Sequence, residues 1–230
     1  MESTSEHFSL FFSFFLGHAT SRRKVPQHAH TIVPLSAAEL AAPLLVCGID
    51  AEFVAIKEEE TEIRSDGTRS LLRPSRLSLA RVSVVRGEGE LTGIPFIDDY
   101  VSTTEPVFDY LTEYSGIKPG DLDPTVSRHR LIPMKAAYKK LRLLLDHGCI
   151  FVGHGLTKDF RTINIRVPPE QVIDTVDLWH IQGQRKLSLR FLSWYLLKED
   201  IQSESHCSIE DAKMVPNFFF SLYSPFHGAM

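Results

Sequence analysis

Apolar and polar positions along this chain follow two different periods, and the change from one to the other marks out its elements. From Leu44 the sequence turns apolar through Leu45, Val46, Ile49, Phe53, Val54, Ala55 and Ile56, behind Pro43. A run this rich in β-branched residues predicts a buried strand. Arg76 to Val85 alternates, with Leu77, Leu79, Val82 and Val84 apolar and a slip near Ala80. It predicts a second strand, joined to the first as a long hairpin through the polar segment Glu58–Ser70 and its Asp66-Gly67 turn. Ile94–Val101 predicts a third strand. Thr103–His129 is rich in proline, glycine and charge, with room for short helices only.

The period then becomes helical. Met134, Ala137, Tyr138, Leu141, Leu144 and Leu145 recur at three- and four-residue steps, ended by Gly148. His147 closes this helix, where a histidine suits the negative end of the helix dipole. Cys149–Val152 predicts a buried strand, and Leu156–Ile163 a helix with Thr157 as its cap. Val172–Asp174 predicts a short strand, and Ser188–Leu197 a helix with Leu189, Leu192, Trp194, Tyr195 and Leu196 inward. Ser208–Val215 predicts a last helix ended by Pro216, since proline lacks the backbone donor and clashes with the preceding turn. Upstream, Ser36 and Glu39 have capping-box spacing for a one-turn helix. The order βββαβαβαα predicts an α/β fold, a mixed central β-sheet flanked by helices.

Composition changes this picture little. The chain has 230 residues, 43% hydrophobic and 23% charged, which suits one domain with a sizeable core. A net charge of −4 argues against a simple basic nucleic-acid-binding module, but not against an enzyme whose acids a metal neutralises. Cys47, Cys149 and Cys207 are too few and too scattered for a disulfide framework or a zinc site, and suit reduced thiols in the cytosol or nucleus. Phe8–Leu16 is too short to span a bilayer, and Arg22-Arg23-Lys24 follows it, whereas a secretory signal places its positive charge first. The expected organisation is a poorly ordered extension over 1–29, a folded unit over 30–215, and an atypical tail over 216–230.

The candidate chemistry begins inside the first strand. Side chains alternate along a strand, so Asp50 and Glu52 point the same way. A divalent cation would relieve their repulsion; so would two basic partners at a frayed strand end, and this stretch alone leaves both readings open. Asp159 follows Gly153-His154-Gly155 on the first turn of a helix, and His206 lies five residues before Asp211 at the start of another. Ligands gather at strand ends and helix starts in α/β sheets, so Asp159 and Asp211 are placed to converge on Asp50 and Glu52. Two divalent ions about 3.5–4 Å apart would balance four carboxylates and clamp a phosphodiester. His206 would take the proton of the attacking water. His154 reads as a loop residue, Trp179 and Trp194 as core, and Phe53 and Phe160 as core before base-stacking groups. Arg76, Arg81, Arg185, Lys186 and Arg190 read as solvated surface before phosphate contacts.

Asp50-x-Glu52, Asp159 and His206-x4-Asp211, in that order, resemble the three motifs of histidine-containing DEDD-type 3′–5′ exonucleases. The segments Ile49–Val54, Pro74–Ser83, Phe96–Val101, Tyr114–Ile117, Val152–Leu156, Asp174–Leu178 and Ser205–Ala212 are similar to the catalytic subunits of poly(A) nuclease deadenylases. The resemblance covers roughly His30 to Lys213. It implies a ribonuclease H-like fold, two Mg²⁺ (or Mn²⁺) ions held by Asp50, Glu52, Asp159 and Asp211, and His206 as general base. It implies a cytoplasmic enzyme that shortens mRNA poly(A) tails from the 3′ end and releases 5′-AMP. In that family a pseudokinase-like regulatory subunit is the partner, and propeller and ubiquitin-hydrolase-like domains precede the exonuclease. The family's last helix runs on for several turns, so a stop at Pro216 would leave Asp211 loosely held. The same residues also fit an exonuclease acting on other RNA or DNA ends, or an inactive remnant that only binds RNA or protein.

Overall fold

The computed structural model describes residues 23–24, 31–42, 45–179, 185–202 and 206–223, with side chains of the last helix described to residue 218. The apolar run becomes β1 (Val46–Lys57), continued by a distal ribbon of β2 (Glu60–Ile63) and β3 (Arg69–Arg73) that returns as β4 (Arg76–Arg86). Beyond these come β5 (Pro95–Ser102), β6 (Leu131–Pro133), β7 (Ile150–Gly153) and β8 (Val172–Asp174). One six-stranded sheet has the order β6-β5-β4-β1-β7-β8. The β1–β4 and β4–β5 pairs are antiparallel, and the other pairs are parallel. This is the mixed sheet that the sequence predicts, and β1 lies inside it.

The slip near Ala80 is a bulge. Glu52 pairs with Arg81 and Phe53 with Leu79, so Ala80 is the extra residue on β4. Such bulges re-aim side chains and bend the strand beside functional sites. Here the irregularity falls at the second carboxylate.

The helices are α1 (Ala37–Ala41), α2 (Thr112–Ser115), α3 (Met134–Asp146), α4 (Leu156–Ile163), α5 (Thr175–Leu178), α6 (Leu189–Leu192), which passes into a π turn over Ser193–Leu197, and α7 (Ser208–Tyr223). Strand alternation divides the core between them. Cys47, Ile49 and Ala51 pack in one cluster with Ala137, Leu141 and Leu145 of α3 and Phe160 and Ile163 of α4. On the opposite face Val46 packs with Met214, Val215 and Phe218 of α7, and Val85 with Ile209 and Ala212. Asp50 and Glu52 share the parity of Val46 and so belong to the α7 face. Among the described residues no helix is long and apolar enough to cross a membrane.

The Ser36–Glu39 capping box forms as predicted. Its glutamate also pairs with Arg86, whose side chain is buried and donates to the carbonyls of Val33 and Pro34 at 3.0 Å each. A buried guanidinium tolerates its loss of water only with such a full set of acceptors.

Several expectations are corrected. Helix α7 does not end at Pro216 but continues to Tyr223 with the proline inside it. Proline removes the donor to the carbonyl of residue 212. A Cβ built on Gly48 would stand 2.2 Å from that Ala212 oxygen and 2.9 Å from the Pro216 ring, so the altered turn lies directly on a glycine of β1. A helical proline costs about 3 kcal/mol. Burial of Phe218 beyond it, ring-edge against Trp179 at 6.0 Å, returns roughly 1.5–3 kcal/mol and holds the helix to the sheet. Thr157 is not a cap, because Gly155, with φ 84°, occupies that position. Trp194, Tyr195 and Leu196 are half-buried; Leu189, Leu192 and Trp179 are the core residues. The ribbon β2–β3 and the edge strand β6 are additions: the ribbon is short and largely polar, and β6 has only three residues, too few for periodicity to reveal. The expectations for Phe8–Leu16 fall outside the described residues.

Candidate active site

Strand β1 presents Asp50 and Glu52 toward α7, and Asp211 meets them from that helix's first turn. One carboxylate oxygen from each of the three lies within 4.8 Å of the others. Glu52 and Asp211 are buried, 6% and 3% exposed. Among the described residues, Glu52 Oε1 and Asp211 Oδ1 have no hydrogen-bond partner. Bare buried oxygens are rare because each forgoes the water it gave up.

The electrostatics are correspondingly unfavourable. Burial pushes the Asp50 carboxyl well above its ordinary range, and the charges of Glu52, Asp211 and Asp159 push the same way. Burial, then Asp211, raises Glu52 to about 9, against the opposing pull of Arg81. Without a counter-charge Glu52 keeps its proton at neutral pH. An oxygen-only donor set with bare buried oxygens fits a hard divalent cation, which would displace that proton.

Asp159 stands on the first turn of α4. It lies outside the 4.8 Å trio, although its charge acts on both Asp50 and Glu52. Its own carboxyl is raised to about 7 by burial and then by Asp174, with Lys158 opposing. The turn that sets it is fixed by Asp174, whose Oδ1 accepts from the backbone N–H of Gly155 at 2.8 Å and of Val176 at 3.1 Å. His154 is a loop residue, as expected, with Nδ1 2.9 Å from the Thr175 hydroxyl. His206 is partly exposed, its Nδ1 3.5 Å from Asp211 Oδ2, and the Tyr114 ring meets it edge-on at 6.3 Å. The structure therefore gathers Asp50, Glu52 and Asp211 tightly, with His206 beside Asp211 and Asp159 outside the trio but near enough for its charge to act on Asp50 and Glu52.

A supporting network was not read from the sequence. The Arg81 guanidinium grips Asp98 through two bonds, 2.7 and 3.1 Å, lies 4.9 Å from the Tyr100 ring centre, and reaches Cys207 Sγ at 3.8 Å. Ser83 shares a hydrogen bond of 2.6 Å with Ser208. Strand β4 thus ties down the two residues that follow His206. A signal existed: Arg81 and Ser83 are the polar positions of β4 registered opposite Glu52 and Asp50. Gln202 donates to Asp211 Oδ2 at 2.7 Å, and no sequence pattern announced it. The arginines considered for phosphate are engaged elsewhere, Arg76 with Glu105 and Arg190 with Asp200. Arg185 and Lys186 are exposed, Phe160 is core, and Phe53 packs against that core.

A family model described as RNase_T, an exonuclease, matches residues 48–219. The chain belongs to this exonuclease family. That match contains all five predicted site residues and the whole of α7 up to residue 219, including Pro216. Over 182 residues the chain is 65% identical to the PAN2-PAN3 deadenylation complex catalytic subunit pan2 of Schizosaccharomyces pombe, an alignment covering 79% of this chain and 17% of that protein. It is 72% identical over 165 residues to the corresponding subunit of Cryptococcus neoformans, covering 71% and 14%. The Saccharomyces cerevisiae Pan2 pseudoubiquitin hydrolase-RNA exonuclease module solved with AACCAA RNA superposes at a TM-score of 0.74 with 47% identity, over 83% of this chain and 31% of that one. The fold is thus ribonuclease H-like, and the chain spans less than a fifth of the curated relatives.

Proposed function

We propose that the chain is a 3′–5′ exoribonuclease that shortens poly(A) tails of cytoplasmic mRNA and releases 5′-AMP. The observation that carries this reading is the converging trio Asp50, Glu52 and Asp211, of which Glu52 and Asp211 are buried and each carries one bare oxygen. Its likeness to deadenylase catalytic subunits, one solved with A7 RNA, supports the substrate. Asp50, Glu52 and Asp211, together with Asp159, would hold two Mg²⁺ ions. Bound there, the ions supply neutralising charge and a more acidic water.

His206 serves as general base. Its Nδ1 is turned to Asp211, which leaves Nε2 to accept the proton of the attacking water. The water oxygen bonds to phosphorus as the bond to the 3′ oxygen of the preceding nucleotide breaks, and that oxygen is protonated by solvent. The Asp211 carboxylate stabilises the imidazolium that forms. Arg81, through Cys207, and Ser83, through Ser208, keep the histidine's segment against β4. Pairing with a regulatory subunit, as in the PAN2-PAN3 complexes of the relatives, belongs to the same reading.

The test is end chemistry. A 5′-labelled oligo(A) with a free 3′ hydroxyl should give a one-nucleotide ladder and 5′-AMP with Mg²⁺, and Asp50→Ala should abolish both. Internal cleavage products, or an unaffected Asp50→Ala, would overturn the assignment.

A further inference from the structure

We propose that Gln202 is a positioning residue for the metal site, holding one oxygen of Asp211 so that the other stays free for a cation. The inference rests on the metal-dependent reading above and adds a residue to it. The two oxygens of Asp211 have unequal surroundings. Oδ2 accepts from Gln202 Nε2 at 2.7 Å and has His206 Nδ1 at 3.5 Å, whereas Oδ1 is buried and bare. A carboxylate only accepts, so the amide nitrogen of Gln202 is the atom that must face it. The bond fixes rotation of the carboxylate about its last torsion, which for aspartate is broad and otherwise free.

Gln202 is itself held in place. Its backbone adopts φ 54°, a left-handed conformation costly for a side chain with a Cβ. Its N–H donates to Glu210 Oε2 at 3.3 Å, and Ile201 before it is buried in the cluster under α7. Glu210 and Asp211 are consecutive on the helix, so backbone and side chain of one residue bind both acids. A strained backbone bound this way is a feature that aims a side chain. Partners that orient a metal's ligands from behind contribute about 10–100-fold in metal affinity.

The experiment is a calorimetric Mn²⁺ titration of the whole purified chain without RNA, alongside the KM for oligo(A) at saturating metal. Gln202→Met keeps the length and removes the donor; Gln202→Ala removes both and is compared in the same way, each shown folded by its metal-free melting curve. The expected result is Mn²⁺ binding weakened about 10-fold or more, with KM for oligo(A) within twofold of the parent chain. Mn²⁺ affinity within twofold of the parent in a folded variant would overturn the role of Gln202 while leaving the metal site intact. A parent chain that binds no Mn²⁺ would overturn both.

Discussion

Replacing Gly48 by alanine should damage catalysis from a position that touches no substrate. A Cβ at residue 48 would lie 2.2 Å from the Ala212 carbonyl oxygen, and 2.9 Å from both the Pro216 ring and Val85 Cγ2. Ordinary contact begins at 3.4 Å, so the obstructing backbone must withdraw by more than 1 Å. It cannot swing aside as a flexible side chain would, because it is the helix carrying Asp211. Overpacking of this kind costs about 1–3 kcal/mol. A displacement of about 1 Å at a catalytic group costs on the order of 100-fold in rate. Steady-state release of 5′-AMP at saturating Mg²⁺, with urea unfolding in EDTA, separates the two effects. The expected outcome is a chain that still folds, with kcat down by about two orders of magnitude and KM for oligo(A) little changed. Gly48→Ala with kcat within threefold of the parent would refute the idea that α7 must pack this closely to place Asp211.

The buried acids set a second expectation. Glu52 and Asp159 titrate higher folded than unfolded, about 9 against 4.5 and about 7 against 3.8, so without metal the folded state holds protons that the unfolded state releases. Their contribution is most favourable below about pH 4 and is lost as pH rises to about 9. Melting temperature in EDTA should therefore fall between pH 5 and 9, Mg²⁺ should reverse the fall, and Asp50→Asn should raise the metal-free value; a metal-free melting temperature that climbs across this range would contradict the reasoning. His206→Ala should lower kcat by about 10²–10⁴ while Mn²⁺ binding measured by calorimetry is retained. Phe218→Ala should cost about 3–5 kcal/mol in urea unfolding, because that ring is fully buried against Trp179 beyond the proline; a cost below 1 kcal/mol would mean that the end of α7 contributes little.

What the sequence made legible follows from what is local. Strand β1, its hairpin with β4, helix α3 and the short strands β7 and β8 are written in apolar periodicity, and even the bulge at Ala80 registers as a slip in alternation. The proposed site residues stand out because paired acids on one face of a strand and acids at helix starts suit a metal, and the structure brings Asp50, Glu52 and Asp211 together. The course of α7 past Pro216 was not legible. A local rule ends the helix there, and the contacts that override it, Gly48 beneath the turn and Phe218 under Trp179, come from segments far apart in sequence. The same holds for Asp98 and Gln202, polar residues that look like surface until the fold sets one against Arg81 and the other against Asp211. Neither could the spacing separate Asp159 from the tighter trio, since that depends on how α4 is aimed by Gly155 and Asp174.

The activity proposed for this chain is removal of adenylates from RNA 3′ ends with divalent metal. The most direct test incubates the purified chain, shown folded by its melting curve, with labelled 3′-oligo(A) and 3′-oligo(U) RNAs in Mg²⁺ or in EDTA. Shortening of oligo(A) in Mg²⁺, absent in EDTA and much slower on oligo(U), is the predicted result. No shortening of oligo(A) by the folded chain in Mg²⁺ would contradict a deadenylating activity.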